Sequence, residues 1–325
     1  LIQGPPGTGK THTAIHLLKT WIQLGRGPIL ATADSNVAVD NLLEGLIDLE
    51  ISVVRIGQPV KVREKLRKST LDAKISEHPD QEKIEFERDE IEEIRKTMPN
   101  LKGREKGLAH RDINQSWKEI RKLEKKMIDD VLDKAQIVCA TCIGAGHKIL
   151  NSRRFPLVLI DEATQATEPA SIVPLVKGAK QVVLIGDYRQ LPATVISARA
   201  ESDGLGRSLF ERLVNLGLET ELLDVQYRMH SAIREFPSSR FYENEIEDGH
   251  TDDERITPVG FIWPNWDKPV AFVPIEGAEQ IDSEGASKSN IDEAGIVVRI
   301  IQDLLEAGEL ETSDIGVITP YNGQV

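Results

Sequence analysis

Residues 4–11 read Gly-Pro-Pro-Gly-Thr-Gly-Lys-Thr, a complete GxxxxGKT phosphate-binding loop. The glycines of such a loop let backbone N–H groups close around the phosphates of a nucleotide. The three residues before the loop have the pattern of a strand end, and residues 11–24 carry apolar side chains at helical spacing. Because the motif requires this strand, loop and helix context, the sequence predicts a site for a nucleoside triphosphate.

The whole loop is predicted to bind ATP together with Mg²⁺. Lys10 is expected to reach the β and γ phosphates, and Thr11 to place its hydroxyl on Mg²⁺. The N-terminus of the following helix favours the negative charge of the phosphates. The predicted nucleotide-binding residues of the loop are Gly4, Pro5, Pro6, Gly7, Thr8, Gly9, Lys10 and Thr11.

The 325 residues are 40% hydrophobic and 29% charged, which is ordinary for a globular protein with room for two domains. No apolar run approaches the roughly 20 residues of a spanning helix, and no basic leader precedes a cleavable apolar stretch. We therefore expect no membrane partner. The formal net charge of −13 means that any contact with nucleic acid has to be local.

Cys139 and Cys142 form a single CxxC pair. A structural zinc site needs four ligands and no second pair completes the set, so we interpret both residues as buried thiols. A reducing compartment follows, and we expect a cytoplasmic or nuclear protein. The chain begins without Met and stops at Val325 directly after an apparent strand, so we interpret it as a fragment.

Short apolar runs alternate with amphipathic stretches through the first half of the chain, which is the pattern of βα units. The predicted strands are residues 28–32, 52–56, 136–141, 157–160 and 181–185, with a helix at 37–49 between the first two. Together with the strand before the phosphate loop, they predict an α/β fold with a parallel sheet.

Residues 61–134 interrupt this pattern with a densely charged segment that predicts an inserted helical arm. Two apolar stripes predict a pair of antiparallel helices that meet along one seam. The stripe residues are Ile84, Ile91, Ile94 and Met98, then Ile113, Trp117, Ile120, Leu123, Met127 and Val131. The basic residues of the arm are typical of a solvated helix face, and a phosphate-contacting surface is the alternative.

A second α/β domain is predicted to begin after a helix at 208–216. Its elements are strands at 222–225, 270–275 and 315–319 and a helix at 291–307. The expected organisation is therefore one domain from residues 1–60 and 135–218, the arm at 61–134, and the N-terminal part of a second domain at 219–325.

Asp161 and Glu162 directly follow the apolar run 157–160, at the strand end where α/β sheets bind ligands. Asp161 is expected to hold Mg²⁺ through water, and Glu162 to take a proton from the water that attacks the γ phosphate. A solvent-facing acidic turn is the alternative interpretation. The pair favours hydrolysis over transfer to a small acceptor.

Two further polar residues follow apolar runs. Gln190, within Gly-Asp-Tyr-Arg-Gln-Leu-Pro, is a candidate to bind the γ phosphate or the attacking water. Arg228, within Gln-Tyr-Arg-Met-His, is predicted to reach the developing phosphoryl charge from the facing domain. A polar loop and an ion-paired structural arginine are the respective alternatives.

Seven segments in this order and spacing resemble superfamily 1B helicases of the up-frameshift type, which act in nonsense-mediated mRNA decay. The segments are GPPGTGKT, ATADSNVAVDNL, ATCIGAG, LIDEATQATEP, GDYRQLP, QYRMH and ITPYNGQ. The arm is also similar to that of the immunoglobulin mu-binding helicase. The resemblance implies two RecA-like domains with ATP between them, single-stranded nucleic acid across their top, and 5′-to-3′ translocation.

By this resemblance Lys10, Thr11, Asp161, Glu162, Gln190 and Arg228 take the ATPase roles given above, and Tyr227 stacks near the adenine. It also implies nucleic-acid contacts at Ser35, Asn36, Thr141, Thr319, Pro320 and Tyr321. Two positions depart from the family pattern, because Asp34 and Ala193 stand where proline is common. The resemblance also implies an upstream glutamine motif, a β-barrel and further helicase motifs, none of which the chain contains.

The expected function is an ATP-dependent helicase or translocase on single-stranded nucleic acid, with RNA favoured over DNA. It is expected to be a monomer with possible protein regulators. A nucleotide-gated RNA clamp without productive unwinding and a DNA helicase of the same superfamily are the alternatives. A nucleotide kinase would leave Glu162, Gln190 and Arg228 without an explanation.

Overall fold

The computed structural model describes residues 1–251, 254–281 and 287–325. Their contacts divide the chain into two units, Leu1–Leu223 and Asp224–Val325. The first unit contains the phosphate loop, and the second contains the Gln-Tyr-Arg-Met-His segment. No helix of the described residues is both long and apolar enough to span a bilayer.

Seven parallel strands form the sheet of the first unit. They are β1 (Ile2–Gln3), β2 (Ile29–Ala33), β3 (Val53–Ile56), β4 (Ile137–Thr141), β5 (Leu157–Asp161), β6 (Gln181–Gly186) and β7 (Glu221–Leu222). Their order across the sheet is β3-β4-β2-β5-β6-β1-β7, and every pairing is parallel. The predicted parallel α/β fold is confirmed.

Helices pack against both faces of this sheet. The helices of the first unit are α1 (Lys10–Gln23), α2 (Asn36–Asp48), α3 (Leu71–Ser76), α4 (Gln81–Thr97), α5 (Gly103–Lys134), α6 (Glu168–Leu175), α7 (Ala198–Ser202) and α8 (Leu209–Asn215). The faces alternate along each strand, so Leu30 of β2 packs in one core cluster, whereas its neighbours Ile29 and Ala31 pack in the other. Burial on both faces explains the continuous apolar runs of the central strands.

Cys139 and Cys142 are both buried free thiols, as predicted. Burial raises the pKa of each to about 12. The thiolate is the reactive form, so neither residue is suited to redox chemistry at neutral pH.

The inserted segment forms the predicted helical pair, α4 and α5. Their apolar stripes meet in a separate cluster built on Ile84, Ile91, Ile113, Ile120 and Met127, all buried. The helices run antiparallel, because Asp80 before α4 binds Lys126 near the end of α5 at 2.8 Å. The arm thus has its own narrow core and exposes its charged faces.

The second unit contains two longer helices and short strand pairs among its described residues. They are α9 (Ser231–Phe241), α10 (Ile291–Glu306), the parallel pair β8 (Val225–Gln226) and β9 (Glu247–Asp248), and the antiparallel pair β10 (Gln280–Ile281) and β11 (Lys288–Ser289). Short 3-10 turns occur in both units at Pro59–Lys61, Glu64–Ser69, Met98–Asn100, Gly144–Gly146, Lys148–Leu150, Thr312–Asp314 and Asn322–Gln324.

Three strand predictions for this unit are wrong. Residues 270–275 and 315–319 form no strand, and the run 222–225 is divided between β7 of the first sheet and β8. The first unit consequently extends to Leu223 rather than to residue 218. A strand needs hydrogen-bonding neighbours and apolar cover, whereas Phe272 is 88% and Ile318 97% exposed.

Candidate functional site

The phosphate loop closes over the first turn of α1. Gly7 and Gly9 have φ angles of 81° and 78°, in the left-handed region that favours glycine. The N–H of Gly4 donates to the carbonyl of Gly186 at 3.0 Å, which anchors the loop to β6. A Cβ atom at Gly4 would collide with the side chain of Lys10. Backbone geometry therefore favours glycine at Gly7 and Gly9, and lack of space favours it at Gly4.

Lys10 lies between the loop and Glu162. Its Nζ donates to the carbonyl of Gly4 at 3.0 Å and lies 3.6 Å from Oε1 of Glu162. Both side chains are only partly exposed, at 11% and 24%. The predicted phosphate-binding cation and the predicted base therefore lie side by side.

Thr11 and Asp161, the predicted metal-binding pair, are in direct contact. The Thr11 hydroxyl donates to Oδ2 of Asp161 at 2.9 Å, and the N–H of Glu162 donates to Oδ1 at 3.0 Å. Asp161 is fully buried. Burial, with a smaller effect of the Glu162 charge, raises the pKa of Asp161 to about 6. A hydroxyl and a carboxylate are the hard oxygen donors that Mg²⁺ prefers, so the residues present fit this ion.

The backbone of Glu162 is in the left-handed region, with a φ of 48°. This conformation costs a residue with a side chain roughly 1–2 kcal/mol, and such strain is concentrated at functional sites. It leaves Asp161 buried while its neighbour Glu162 is 24% exposed. Two adjacent carboxylates are thereby placed in different environments, as two different roles require.

Gln190 connects to the loop indirectly. Its Nε2 donates to Oδ2 of Asp187 at 2.6 Å, and Oδ1 of Asp187 accepts from Nε2 of Gln3 at 3.3 Å. Gln3 immediately precedes the phosphate loop. Asp187 is a site residue that the sequence motifs do not predict, although its position directly after β6 resembles that of Asp161 at the end of β5 and is a usable signal.

Tyr227 and Arg228 lie in the second unit, on a turn that Gln226 holds. The buried Oε1 of Gln226 accepts from the N–H groups of Arg228 at 2.8 Å and Met229 at 2.7 Å. Nη2 of Arg255 donates to the carbonyl of Tyr227 at 2.8 Å. Both predicted ATP-contacting side chains are exposed. That these two side chains meet Lys10 around a triphosphate stays a prediction. The sequence does not predict the role of Gln226, because a side chain that holds a turn through backbone N–H groups has no characteristic spacing in the sequence.

The predicted nucleic-acid contacts of the first unit follow neighbouring strands. Ser35 caps α2, because its Oγ accepts from the N–H of Ala38 at 3.1 Å. Oδ1 of Asn36 accepts from Arg55 at 2.8 Å. The Thr141 hydroxyl oxygen accepts from the N–H of Gly144 at 3.0 Å. All three contacts leave a side-chain donor hydrogen for a ligand.

Asp34 and Ala193, the two departures from the family pattern, have different environments. Asp34 is exposed at the end of β2, and partial burial of its carboxyl group raises the pKa of Asp34. Ala193 is 7% exposed. A carboxylate therefore precedes Ser35 directly at the predicted phosphate contact.

The remaining predicted contacts, Thr319, Pro320 and Tyr321, lie in the second unit. The Thr319 hydroxyl oxygen accepts from the N–H of Tyr321 at 3.3 Å. Nζ of Lys288 lies 5.9 Å from the centre of the Tyr321 ring, and this ring is 43% exposed. An exposed aromatic ring beside a cation suits the stacking of an unpaired base, although the role itself remains a prediction.

Sequence comparison identifies the family. Two family models match, each described as an AAA domain, one over residues 1–198 and the other over residues 205–325. The chain belongs to the AAA domain family. The first match spans the phosphate loop, Asp161, Glu162 and Gln190, the residues whose geometry defines the candidate site.

Similar proteins include three curated relatives that this chain matches over its full length. It is 41% identical to the ATP-dependent helicase NAM7 of Saccharomyces cerevisiae, covering 32% of that protein. It is 39% identical to a regulator of nonsense transcripts 1 homolog of Arabidopsis thaliana, covering 25%, and 41% identical to regulator of nonsense transcripts 1 of Dictyostelium discoideum, covering 24%. The resemblance to helicases of the up-frameshift type is confirmed, and the chain spans a quarter to a third of these relatives.

Among solved structures, the chain is similar to an arterivirus nonstructural protein 10 helicase in complex with DNA. The TM-score is 0.42 and the identity 14%, over 77% of this chain and 41% of the other. This likeness is too weak to support an argument about either fold or function.

We expect the substitution Asp161→Asn to stabilise the metal-free chain at pH 7.5. The pKa of Asp161 is raised from 3.8 to about 6, so ionisation of this buried carboxyl group costs the folded state about 3 kcal/mol. A raised folded-state pKa means that this cost is present above about pH 6 and disappears as the pH falls below about 4.

Thermal unfolding in EDTA at both pH values measures this effect. The variant is expected to have the higher Tm at pH 7.5 and an equal Tm at pH 4. The control Asp112→Asn removes an exposed carboxylate from α5 and should change neither value. Equal Tm values for wild type and Asp161→Asn at pH 7.5 would contradict the burial argument.

Proposed function

We propose that the protein containing this chain is an ATP-dependent helicase or translocase that moves 5′ to 3′ on single-stranded nucleic acid. The observation that carries this proposal is the contact of Thr11 with Asp161 at 2.9 Å, beside the Lys10 and Glu162 pair at 3.6 Å. A phosphate-binding cation, a metal-binding pair and a base stand together at one sheet edge. The names of the relatives, which include ATP-dependent helicases, support the same activity.

The residues present divide the work of hydrolysis. Thr11 and Asp161 would hold Mg²⁺, and such an ion would supply positive charge to neutralise the β and γ phosphates. Lys10 binds the same phosphates, and Glu162 accepts a proton from the attacking water. Gln190 orients that water and is itself oriented by Asp187, to which its Nε2 donates at 2.6 Å.

Residues of the second unit complete the ATPase site in this proposal. Tyr227 stacks on the adenine, and Arg228 stabilises charge on the transferred phosphoryl group. Gln226 and Arg255 support these roles because they fix the backbone of the turn and leave both side chains exposed. Closure of the two domains around ATP would then couple hydrolysis to movement.

The nucleic-acid path is proposed along Ser35, Asn36 and Thr141, and along Thr319, Pro320 and Tyr321 in the second unit. The first three are neutral hydrogen-bond donors, which suit phosphate oxygens and read no base sequence. Such local contacts are compatible with a net charge of −13. The tyrosine adds base stacking.

We propose RNA rather than DNA as the substrate, because several relatives are named regulators of nonsense transcripts. We further propose that the protein is a monomer, that it works in the cytoplasm or nucleus, and that other proteins regulate it. ATP hydrolysis by the full-length parent, measured with poly-U RNA, with single-stranded DNA and with neither, tests the substrate. Stimulation by RNA supports the proposal, stimulation by DNA alone would reassign the substrate, and no stimulation would overturn the translocase.

The substitution Glu162→Gln is expected to lower kcat for ATP by about 10²- to 10⁴-fold, because it removes the proton acceptor. The affinity for ATP should change by less than about threefold, since Lys10, Thr11 and Asp161 remain. Steady-state hydrolysis of the full-length parent and equilibrium binding of a fluorescent ATP analogue measure the two effects.

Glu201→Gln is a matched control, because it makes the same change at an exposed carboxylate on α7. Its kcat should equal that of the wild type. If Glu162→Gln left kcat unchanged, Glu162 would not be the base, and a nucleotide-gated clamp would become the better explanation.

The arm is proposed to add a basic stripe to the nucleic-acid path. Lys118, Arg121 and Lys125 are exposed along one side of α5, and none has a carboxylate partner among the described residues. Replacing all three with glutamine is expected to reduce the slope of log affinity against log salt by about 2 for single strands. Titration of a fluorescent oligouridine at several salt concentrations measures the slope.

Two neighbouring lysines provide the control. Nζ of Lys122 lies 3.7 Å from Oε2 of Glu119, and Nζ of Lys126 lies 2.8 Å from Oδ2 of Asp80. Hydrogen bonds from Lys126 and Lys83 lower the pKa of Asp80 to about 2. Because these ammonium groups are already paired, Lys122→Gln with Lys126→Gln should change the slope by less than about 1. An unchanged slope in the triple variant would restore the solvated-face interpretation.

A further inference from the structure

An arginine lies buried in the sheet, three strands away from β5. Arg55 is the third residue of β3 and is 1% exposed. Arginine is almost never fully buried without partners, because transfer of its charge out of water is costly. A residue of this kind in an otherwise apolar strand of Val and Ile has to be explained by the groups that surround its guanidinium.

The guanidinium has three partners. Nη2 donates to Oδ1 of Asn36 at 2.8 Å, Nη1 donates to the carbonyl of Ile56, and Nε lies 3.6 Å from Oδ1 of Asp40. Asp40 is 2% exposed, and its other oxygen accepts from the N–H of Arg63 at 3.0 Å. Burial lowers the pKa of Arg55, an effect that the charge of Asp40 opposes.

The space around Arg55 is closed on the side of Gly57. A Cβ atom at Gly57 would lie 3.1 Å from Nη1, and the φ angle of this glycine is 153°. The planar guanidinium is therefore held in one place by strand β3, helix α2 and the turn after β3. A planar guanidinium presents its N–H groups in fixed directions, whereas the ammonium group of a lysine does not.

The contact with Arg55 determines the orientation of the Asn36 side chain. Because a guanidinium only donates, the oxygen of the Asn36 amide has to face it, and the NH₂ group faces away. Asn36 is half-buried at the first position of α2, and no acceptor for its NH₂ group is found among the described residues. Two donor hydrogens thus remain at the sheet edge that also carries Thr141.

We propose that Arg55 is a positioning residue for nucleic-acid binding. It acts through Asn36, by holding the amide so that its NH₂ group donates to a backbone phosphate of the single strand. This inference rests on the proposed function, because that proposal makes Asn36 a nucleic-acid contact. It adds a buried ion pair, Arg55 with Asp40, as the support of that contact.

The substitution Arg55→Lys tests this role with little change of charge. A lysine at this position retains the attraction to Asp40 but lacks the guanidinium N–H group that donates to Asn36. The affinity of the full chain for a fluorescent oligouridine at fixed salt is expected to fall about five- to tenfold, and that of Asn36→Ala about tenfold. The control Arg153→Lys makes the same substitution in an arginine paired with Asp129 and should change the affinity less than twofold.

The double variant separates positioning from general destabilisation. If Arg55 acts through Asn36, then Arg55→Lys adds less than a twofold loss in the Asn36→Ala background. If instead the two losses multiply while the wild-type chain binds normally, the inference is overturned and the proposed function stands. Failure of the wild-type chain to bind RNA or DNA oligonucleotides would overturn the proposed function itself.

A second measurement needs no nucleic acid. In the full chain labelled with ¹⁵N-asparagine, the side-chain NH₂ signals of Asn36 are assigned by their loss in Asn36→Ala. They should be dispersed in the wild type and move toward free-amide positions in Arg55→Lys, while the other asparagine signals stay in place. Unchanged Asn36 signals would overturn the inference whatever the binding result, and a shift of all signals would show unfolding and overturn it as well.

Discussion

The hydrogen bond between the Thr11 hydroxyl and the Asp161 carboxylate ties the end of the phosphate loop to the end of β5. It depends on two constraints: the glycines that let the loop fold over α1, and the parallel sheet that brings the carboxyl ends of β1 and β5 to one edge. The carboxylate is fully buried, so its ionised form is unfavourable in the folded chain. A cation held by this carboxylate would offset that cost, in agreement with the proposed binding of a metal-bound triphosphate.

In the proposed function, the nucleotide and the nucleic acid bind at different parts of this edge. Strands β5, β6 and β1 end at the residues around the phosphate loop, whereas β2 leads into the start of α2 at Asn36 and β4 ends at Thr141. Since β2 and β5 are neighbours, the two sets adjoin across a single pair of strands. One rigid sheet can therefore hold a nucleotide and a nucleic-acid strand close together without sharing side chains between them.

The sequence predicts the central strands and the helical arm well, because their apolar patterns are local. It predicts Lys10 and Asp161 because motif and strand end coincide. It does not predict Arg55, whose partner Asn36 lies 19 residues away, because a single polar residue has no periodicity. For Asp187, which binds Gln3 from 184 residues away, the one signal is its position directly after β6. The strand expected at 270–275 is absent. An apolar run does not show whether a neighbouring strand is available to form hydrogen bonds with it, so the sequence alone could not exclude this prediction.

We propose that the loop and the ends of β5 and β6 form a binding site for a magnesium-bound triphosphate. Calorimetric titration of the chain with Mg²⁺ and a non-hydrolysable ATP analogue tests it directly, with Lys10→Met as the comparison. We expect one site in the wild-type chain and an affinity at least about tenfold weaker in the variant, because a charged contact to the phosphates is lost. Equal affinities in the two proteins, or no binding to the wild type, would contradict it.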